Sequence, residues 1–130
     1  NDLKLVYHNH KFEFEKFDGK TIMEYLFDTF DSRYVEFEID TYWVQAGGAN
    51  PIDWIYKVNG RMNIIHFKDF RIVKDEQQFT EIGQGNLDWE GIIKACRDTG
   101  VIFAAIEQDS FTDDPLNSLK MSYDFLKGKV

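Results

Sequence analysis

The sequence predicts an α/β fold built from four βα units around a parallel sheet, and two observations carry that expectation. Four short apolar runs, LKLVYH, YVEFEID, MNIIHFKD and IFAAIEQD, recur along the chain with helix-like stretches between them, and such alternation is the mark of a parallel sheet. Each run also closes on a residue able to bind a divalent cation: His8, Asp40, His66 and Glu107. Parallel strands that alternate with helices bring their carboxyl ends to one face, where an α/β barrel builds its active site. Two imidazoles and two carboxylates would share that face. This mixed nitrogen and oxygen set suits a divalent metal, Mn²⁺, Zn²⁺, Co²⁺ or Mg²⁺, and is poorly suited to a thiolate-seeking ion.

The elements follow in order. LKLVYH is β-rich and leads through the charged loop KFEFEKFDGK to TIMEYLFDTF, whose apolar Ile22, Met23, Leu26, Phe27 and Phe30 fall at helical spacing. YVEFEID alternates, with Val35, Phe37 and Ile39 on one face and Glu36 and Glu38 on the other. One or both glutamates could face a barrel interior, although solvated or ion-paired positions are the ordinary outcome. Pro51 opens the helix PIDWIYKVNG, which stops at Gly60. MNIIHFKD is a third strand, followed by the long polar loop FRIVKDEQQFTEIGQGNLD and the helix WEGIIKACRDTG, with Asp88 as its N-cap and Gly100 at its end. VIFAAIEQD is nearly continuous in apolar residues, as expected of a strand covered on both faces, and PLNSLKMSYDFLKG is the last amphipathic helix.

Composition narrows the function. The 130 residues are 43% hydrophobic and 16% aromatic, enough for a core, and no linker or low-complexity tract divides residues 1–130, which read as one domain. A net charge of -8 with a pI near 4.8 argues against a nucleic-acid surface, which needs clustered Lys and Arg. No apolar run approaches the ~20 residues of a membrane span, and the first residues do not form a signal peptide. Cys96 is the sole cysteine and packs in a helical pattern, so a disulfide framework is excluded and a reducing, cytoplasmic setting is expected.

Four βα units are half of a closed eight-stranded barrel, which typically takes ~250 residues. Open sheet edges invite pairing. The expectation is therefore a half-barrel, the C-terminal half of a longer barrel, completed by an N-terminal half, by a partner or by self-association.

The series YHNHKFEF, EIDTYWVQAGGANPIDWI, GRMNIIHFKD, IGQGNLDWEGIIKA and IEQD, with the closing NSLKMSYDFL, resembles the sugar phosphate isomerase/epimerase family of xylose-isomerase-like TIM barrels, over strands five to eight. That resemblance implies a metal site with a carboxylate after the fifth strand, an aspartate after the sixth, a histidine after the seventh and a glutamate after the eighth. Asp40, His66 and Glu107 match the last three. The first falls at His8 or its neighbour, where many members carry glutamate, so the sequence departs from the epimerase pattern where one of two catalytic carboxylates would stand.

The chemistry implied is proton transfer next to the carbonyl of a small sugar or sugar phosphate, with an ion stabilising the developing negative charge. Glu107 is the candidate base. His8 or His10 could serve as a ligand, a second acid/base group or a hydroxyl-binding residue. Lys68 at the site mouth could hold a substrate oxyanion, or simply pair with Asp69. Trp43 is a candidate wall for a sugar ring, whereas Trp54 reads as core. Asp40 could also be no more than a helix cap, and IGQGN reads as a turn in preference to a phosphate cradle. Isomerisation or epimerisation is the first reading. A dehydratase or other lyase comes second, since YHNH resembles the inosose dehydratase side of the superfamily, and a catalytically silent half-barrel is third.

Overall fold

Alternation of apolar and polar residues places two faces on each strand of this chain, and the computed structural model, which describes residues 3–130, shows what covers each. In chain order the strands and helices are β1 (Leu5–His8), the short hairpin β2 (Lys16–Phe17) and β3 (Lys20–Thr21), α1 (Ile22–Thr29), β4 (Val35–Glu38), α2 (Thr41–Ala46), α3 (Pro51–Lys57), β5 (Ile64–Phe67), β6 (Asp69–Val73), β7 (Glu76–Thr80), α4 (Trp89–Thr99), β8 (Phe103–Ile106) and α5 (Pro115–Leu126). A single 3-10 turn, Phe12–Phe14, lies between β1 and β2.

The four strands expected from the sequence are β1, β4, β5 and β8, and their pairings are parallel. β1 pairs with β4 in the register His8 to Glu38, and β5 pairs with β8 in the register His66 to Ala105. The two pairs are joined through the parallel bridge between Asp40 and His66, where His66 N donates to Ile39 O at 2.9 Å, and through Phe37 N donating to Arg61 O at 2.8 Å. The order β1, β4, β5, β8 is one arc of an α/β barrel.

The side of the arc that faces the helices is the core. Phe37, Ile39 and Ile65 are fully buried and Phe67 nearly so, packed with Met23, Val44, Ile55, Val58 and Ile92. Each such side chain contributes roughly 1.5–3 kcal/mol by leaving water. Cys96 belongs to this layer, and burial pushes its thiol up to about 12, so it is inert packing. Trp54 is core as expected.

Local signals set the helix limits. Thr21 caps α1 in a reciprocal capping box with Glu24, Asn50 caps α3 ahead of Pro51, and Asp88 caps α4. Gly100 ends α4 in the left-handed region, at φ 74°. Among the described residues no helix is long and apolar enough to cross a membrane.

Three features differ from the sequence expectation. The segment read as one long polar loop contains the antiparallel hairpin β6–β7, turned by Lys74 and Asp75, both at positive φ. Its Arg, Lys, Asp and Gln residues hide the strand pattern because the hairpin is largely solvent-facing, with Asp69, Phe70 and Thr80 buried and Phe79 half-buried. Helix α2 was not anticipated. It is six residues long and is started by Asp40, whose carboxylate accepts from Trp43 N at 3.0 Å. Finally, β8 is not covered on both faces: Phe103 is 65% exposed and Ala104 is also exposed. Leu3 and Leu5 at the other end of the arc are 87% and 68% exposed. The apolar character of both outer strands exceeds what this chain itself covers.

Candidate metal and substrate site

The opposite side of the arc, which would be the interior of a barrel, carries the polar residues. Period two along β4 turns Glu36 and Glu38 away from the Phe37 face, and Asp40 continues that row just past the strand end. Opposite them are His8 from β1, His66 from β5 and Glu107, the residue after β8. One ligand atom from each of His8, Asp40, His66 and Glu107 can be chosen so that all four lie within 4.8 Å of one another. His8 Nε2 is 3.3 Å from Asp40 Oδ2, and His66 Nδ1 is 2.5 Å from Glu107 Oε2 and 4.0 Å from Asp40 Oδ2. Asp40 is at once the cap of α2 and a member of this group.

Lys68 reaches into the same cluster. Its side chain is 2% exposed, and its Nζ lies 2.9 Å from Asp109 Oδ1 and 3.2 Å from both Asp40 Oδ2 and Glu107 Oε2. Burial alone would pull this lysine down. Asp40, Asp109 and Glu107 outweigh it and raise the ammonium above its ordinary range. Burial likewise pushes the Glu107 carboxyl up, but Lys68 and His66 prevail and hold it below the usual carboxylate range. Glu107 is thus held in its carboxylate form at neutral pH. The contact with Asp40 raises the His8 imidazole in spite of burial.

The donor set fits a divalent ion. Asp40, Glu107 and Asp109 surround one ammonium and Glu38 adds a fourth carboxylate beside His66, so the cluster retains an excess of negative charge that a divalent ion would offset, and its nitrogen and oxygen donors are those of Mn²⁺, Mg²⁺, Co²⁺ and Zn²⁺ sites.

His10 does not join the four-atom group. β1 ends at His8, and the His10 ring lies 5.0 Å from that of His8, stacked on Phe12 and 5.6 Å from Trp43. It lines the mouth instead. Trp43 stands between His10 and Phe79, with Lys68 Nζ 5.5 Å from its ring. The β6–β7 hairpin thereby contributes a site wall through Phe79, which also stacks on Tyr42.

Lys68, between β5 and β6, and Asp69, the first residue of β6, do not pair with each other, because successive residues of extended backbone point to opposite sides. Asp69 is fully buried and accepts hydrogen bonds from the backbone of Phe70 at 2.8 Å, Gly83 and Gly85 at 3.0 Å and Leu87 at 3.4 Å, and from Trp89 Nε1 at 2.7 Å. Burial pushes its carboxyl up against the pull of these donors. The IGQGN segment is therefore a turn wrapped on a carboxylate. A Cβ at Gly85 would meet Phe70 O at 2.2 Å and Asp69 Oδ1 at 2.3 Å, which explains the glycine.

Several positioning residues had no clear sequence signal. Asn9 is fully buried and its Oδ1 accepts from Asp40 N at 3.0 Å. Glu13, also fully buried, accepts from His10 N and from the Tyr7 hydroxyl, each at 2.9 Å, and burial together with Glu13 pushes the Tyr7 phenol up to about 12. Asp109 lies in a loop beyond the strand pattern. Glu36 is buried between Lys4 and Asn63, whereas Glu38 Oε1 lies 3.1 Å from His66 Nε2.

Comparison with known proteins shows the same fold. Two structures described as sugar phosphate isomerase/epimerase from Parabacteroides distasonis each superpose with a TM-score of 0.80, one at 26% identity over 95% of this chain and the other at 24% over 96%. A probable 3-DHS dehydratase from Bacillus anthracis superposes with a TM-score of 0.71 at 16% identity, over 99% of this chain, and shows the shared fold. The chain spans 45% of the length of each Parabacteroides structure and 51% of the Bacillus one. No curated protein matches. The family model of the xylose isomerase-like TIM barrel matches residues 1–128, and the chain belongs to that family.

Proposed function

We propose that this chain carries the metal and proton-transfer half of a divalent-metal-dependent isomerase or epimerase acting next to the carbonyl of a small sugar or sugar phosphate. The observation that supports it most is the convergence of His8, Asp40, His66 and Glu107 from four successive strand ends within 4.8 Å. These four residues would hold the ion, Mn²⁺ first in our reading. When bound, the ion supplies electrostatic stabilisation of negative charge developing on the substrate. Glu107, kept ionised by Lys68 and His66, accepts the α-proton at its carboxylate. Lys68 holds a substrate oxyanion, and Trp43 with Phe79 forms an apolar wall that orients the sugar and excludes water. His10 offers a donor or acceptor at the mouth.

The rest of the enclosure is proposed to come from further βα units. A surface cleft of about 450 Å³ lined by Gln45, Asn50, Asn86 and Asp88 shares no residue with the ligand group, which lies on the open side of the arc. Exposed Leu3, Leu5, Ile102 and Phe103 lie on or beside the two outer strands and suit burial against complementary strands and helices. The similar structures are about twice as long.

One observation favours dehydration as the second reading. His8 stands where the resemblance implies a glutamate in many epimerases, which leaves Glu107 as the sole glutamate among the matched positions and suits a one-base elimination. Incubating the full-length protein with keto-sugars in deuterated water separates the two. Solvent deuterium in the recovered or epimerised sugar is the expected result. Loss of water to an unsaturated product would establish the lyase, and neither outcome with a range of keto-sugars and their phosphates would refute proton transfer as the function.

A further inference from the structure

Resting on the metal reading above, we infer that Glu38 is a positioning residue that fixes the His66 imidazole in the tautomer offering Nδ1 to the ion. The two ring nitrogens of His66 face different carboxylates. Nδ1 looks into the ligand group, 2.5 Å from Glu107 Oε2 and 4.0 Å from Asp40 Oδ2, whereas Nε2 looks back along β4 and lies 3.1 Å from Glu38 Oε1.

Imidazole can offer a lone pair from one nitrogen only while the other carries its proton, and the partner of that second nitrogen decides which is which. Nδ1 meets the Glu107 carboxylate; once an ion takes that place, the Glu38 carboxylate beside Nε2 favours the proton there and leaves Nδ1 to the ion. That carboxylate also raises the basicity of the ligand.

The fold puts Glu38 in this position by strand geometry. Glu38 is directly opposite His8 in the β1–β4 register and two residues before Asp40, so its side chain points to the same side of the arc as both. It is not drawn away by other partners in the site. Lys4 and Asn63 are taken up by Glu36, and Lys68 by Asp40, Glu107 and Asp109. The Glu38 side chain is 13% exposed, so its interaction with His66 is shielded from water. The alternation that places three acidic residues on β4 and its end thereby divides their work: Glu36 ties the strands together, Glu38 orients a ligand and Asp40 is a ligand.

The test reads the ring directly. In the full-length protein loaded with Zn²⁺, which is diamagnetic, long-range ¹H–¹⁵N correlations of His66 should show the Nε2-protonated form with Nδ1 metal-bound. Titration with Zn²⁺ and with Mn²⁺ should show affinity weakened about 10- to 100-fold in Glu38→Ala. Glu38→Gln keeps an acceptor oxygen and should stay within a few-fold of the parent. An Nε2-bound ion in the parent protein would overturn the inference with no variant needed, even if Glu38→Ala fails to fold. Unchanged affinity and unchanged tautomer in Glu38→Ala would overturn it while leaving the metal site intact. A parent protein that takes up neither ion removes the metal reading itself, and this inference with it.

Discussion

Asp69→Ala is expected to lower stability by about 3–5 kcal/mol, because five donors, the amides of Phe70, Gly83, Gly85 and Leu87 and the Trp89 indole, lose their common buried acceptor. Each buried donor left without a partner costs about 1–3 kcal/mol, and relaxation of the turn recovers part of the sum. Against a typical total of about 5–15 kcal/mol, the variant should be close to unfolding at ambient temperature. Urea denaturation of the full-length protein measures it as a fall in midpoint at constant slope. Asp69→Asn should lie between, since its amide keeps one acceptor oxygen but turns a donor toward the Gly83 and Gly85 amides. A midpoint for Asp69→Ala within error of the parent would show that the turn does not depend on the carboxylate.

His66→Ala should abolish stoichiometric metal binding and lower turnover by more than about 100-fold, because loss of a ligand exceeds the 10- to 100-fold cost of losing an outer partner. The fold should largely survive. His66 lies on the barrel-interior side, outside the packed layer of Phe37, Ile39, Ile65 and Phe67, so the substitution opens no cavity in that layer. Metal analysis of the purified variant beside a thermal melt distinguishes the two effects. A variant that retains one ion per chain would remove His66 from the ligand set.

Strand order and the convergence of the four strand-end residues were legible in the sequence because both rest on local periodicity. The apolar alternation of VEFEID sets which residues face the helices, and the chain direction of four βα units brings His8, Asp40, His66 and Glu107 to one end. The resemblance to isomerase/epimerase barrels rested on the same segments, and the family match supports it. The hairpin β6–β7 was hidden because its exposed strands carry Arg, Lys and Gln where a buried strand would alternate. The short helix α2 was hidden because a single side chain, Asp40, starts it.

Other parts of the site depend on distance in space. Nothing local marks Asn9 as the acceptor for Asp40 N, or Asp109 as a partner of Lys68, since these meet only when separate strand ends converge. Lys68 and Asp69 looked like an ion pair in sequence and proved to serve opposite sides of the sheet, one the site and the other the IGQGN turn. Glu38 was placed correctly on the polar face of β4, but its relation to His66 required the neighbouring strand.

The most direct measurement of the central claim is the anomalous scattering of crystals of the full-length protein grown with Mn²⁺. The account predicts one strong peak per chain, ligated by His8, Asp40, Nδ1 of His66 and Glu107. No peak at that position, or an ion held by other residues in a protein that still turns over its substrate, would contradict it.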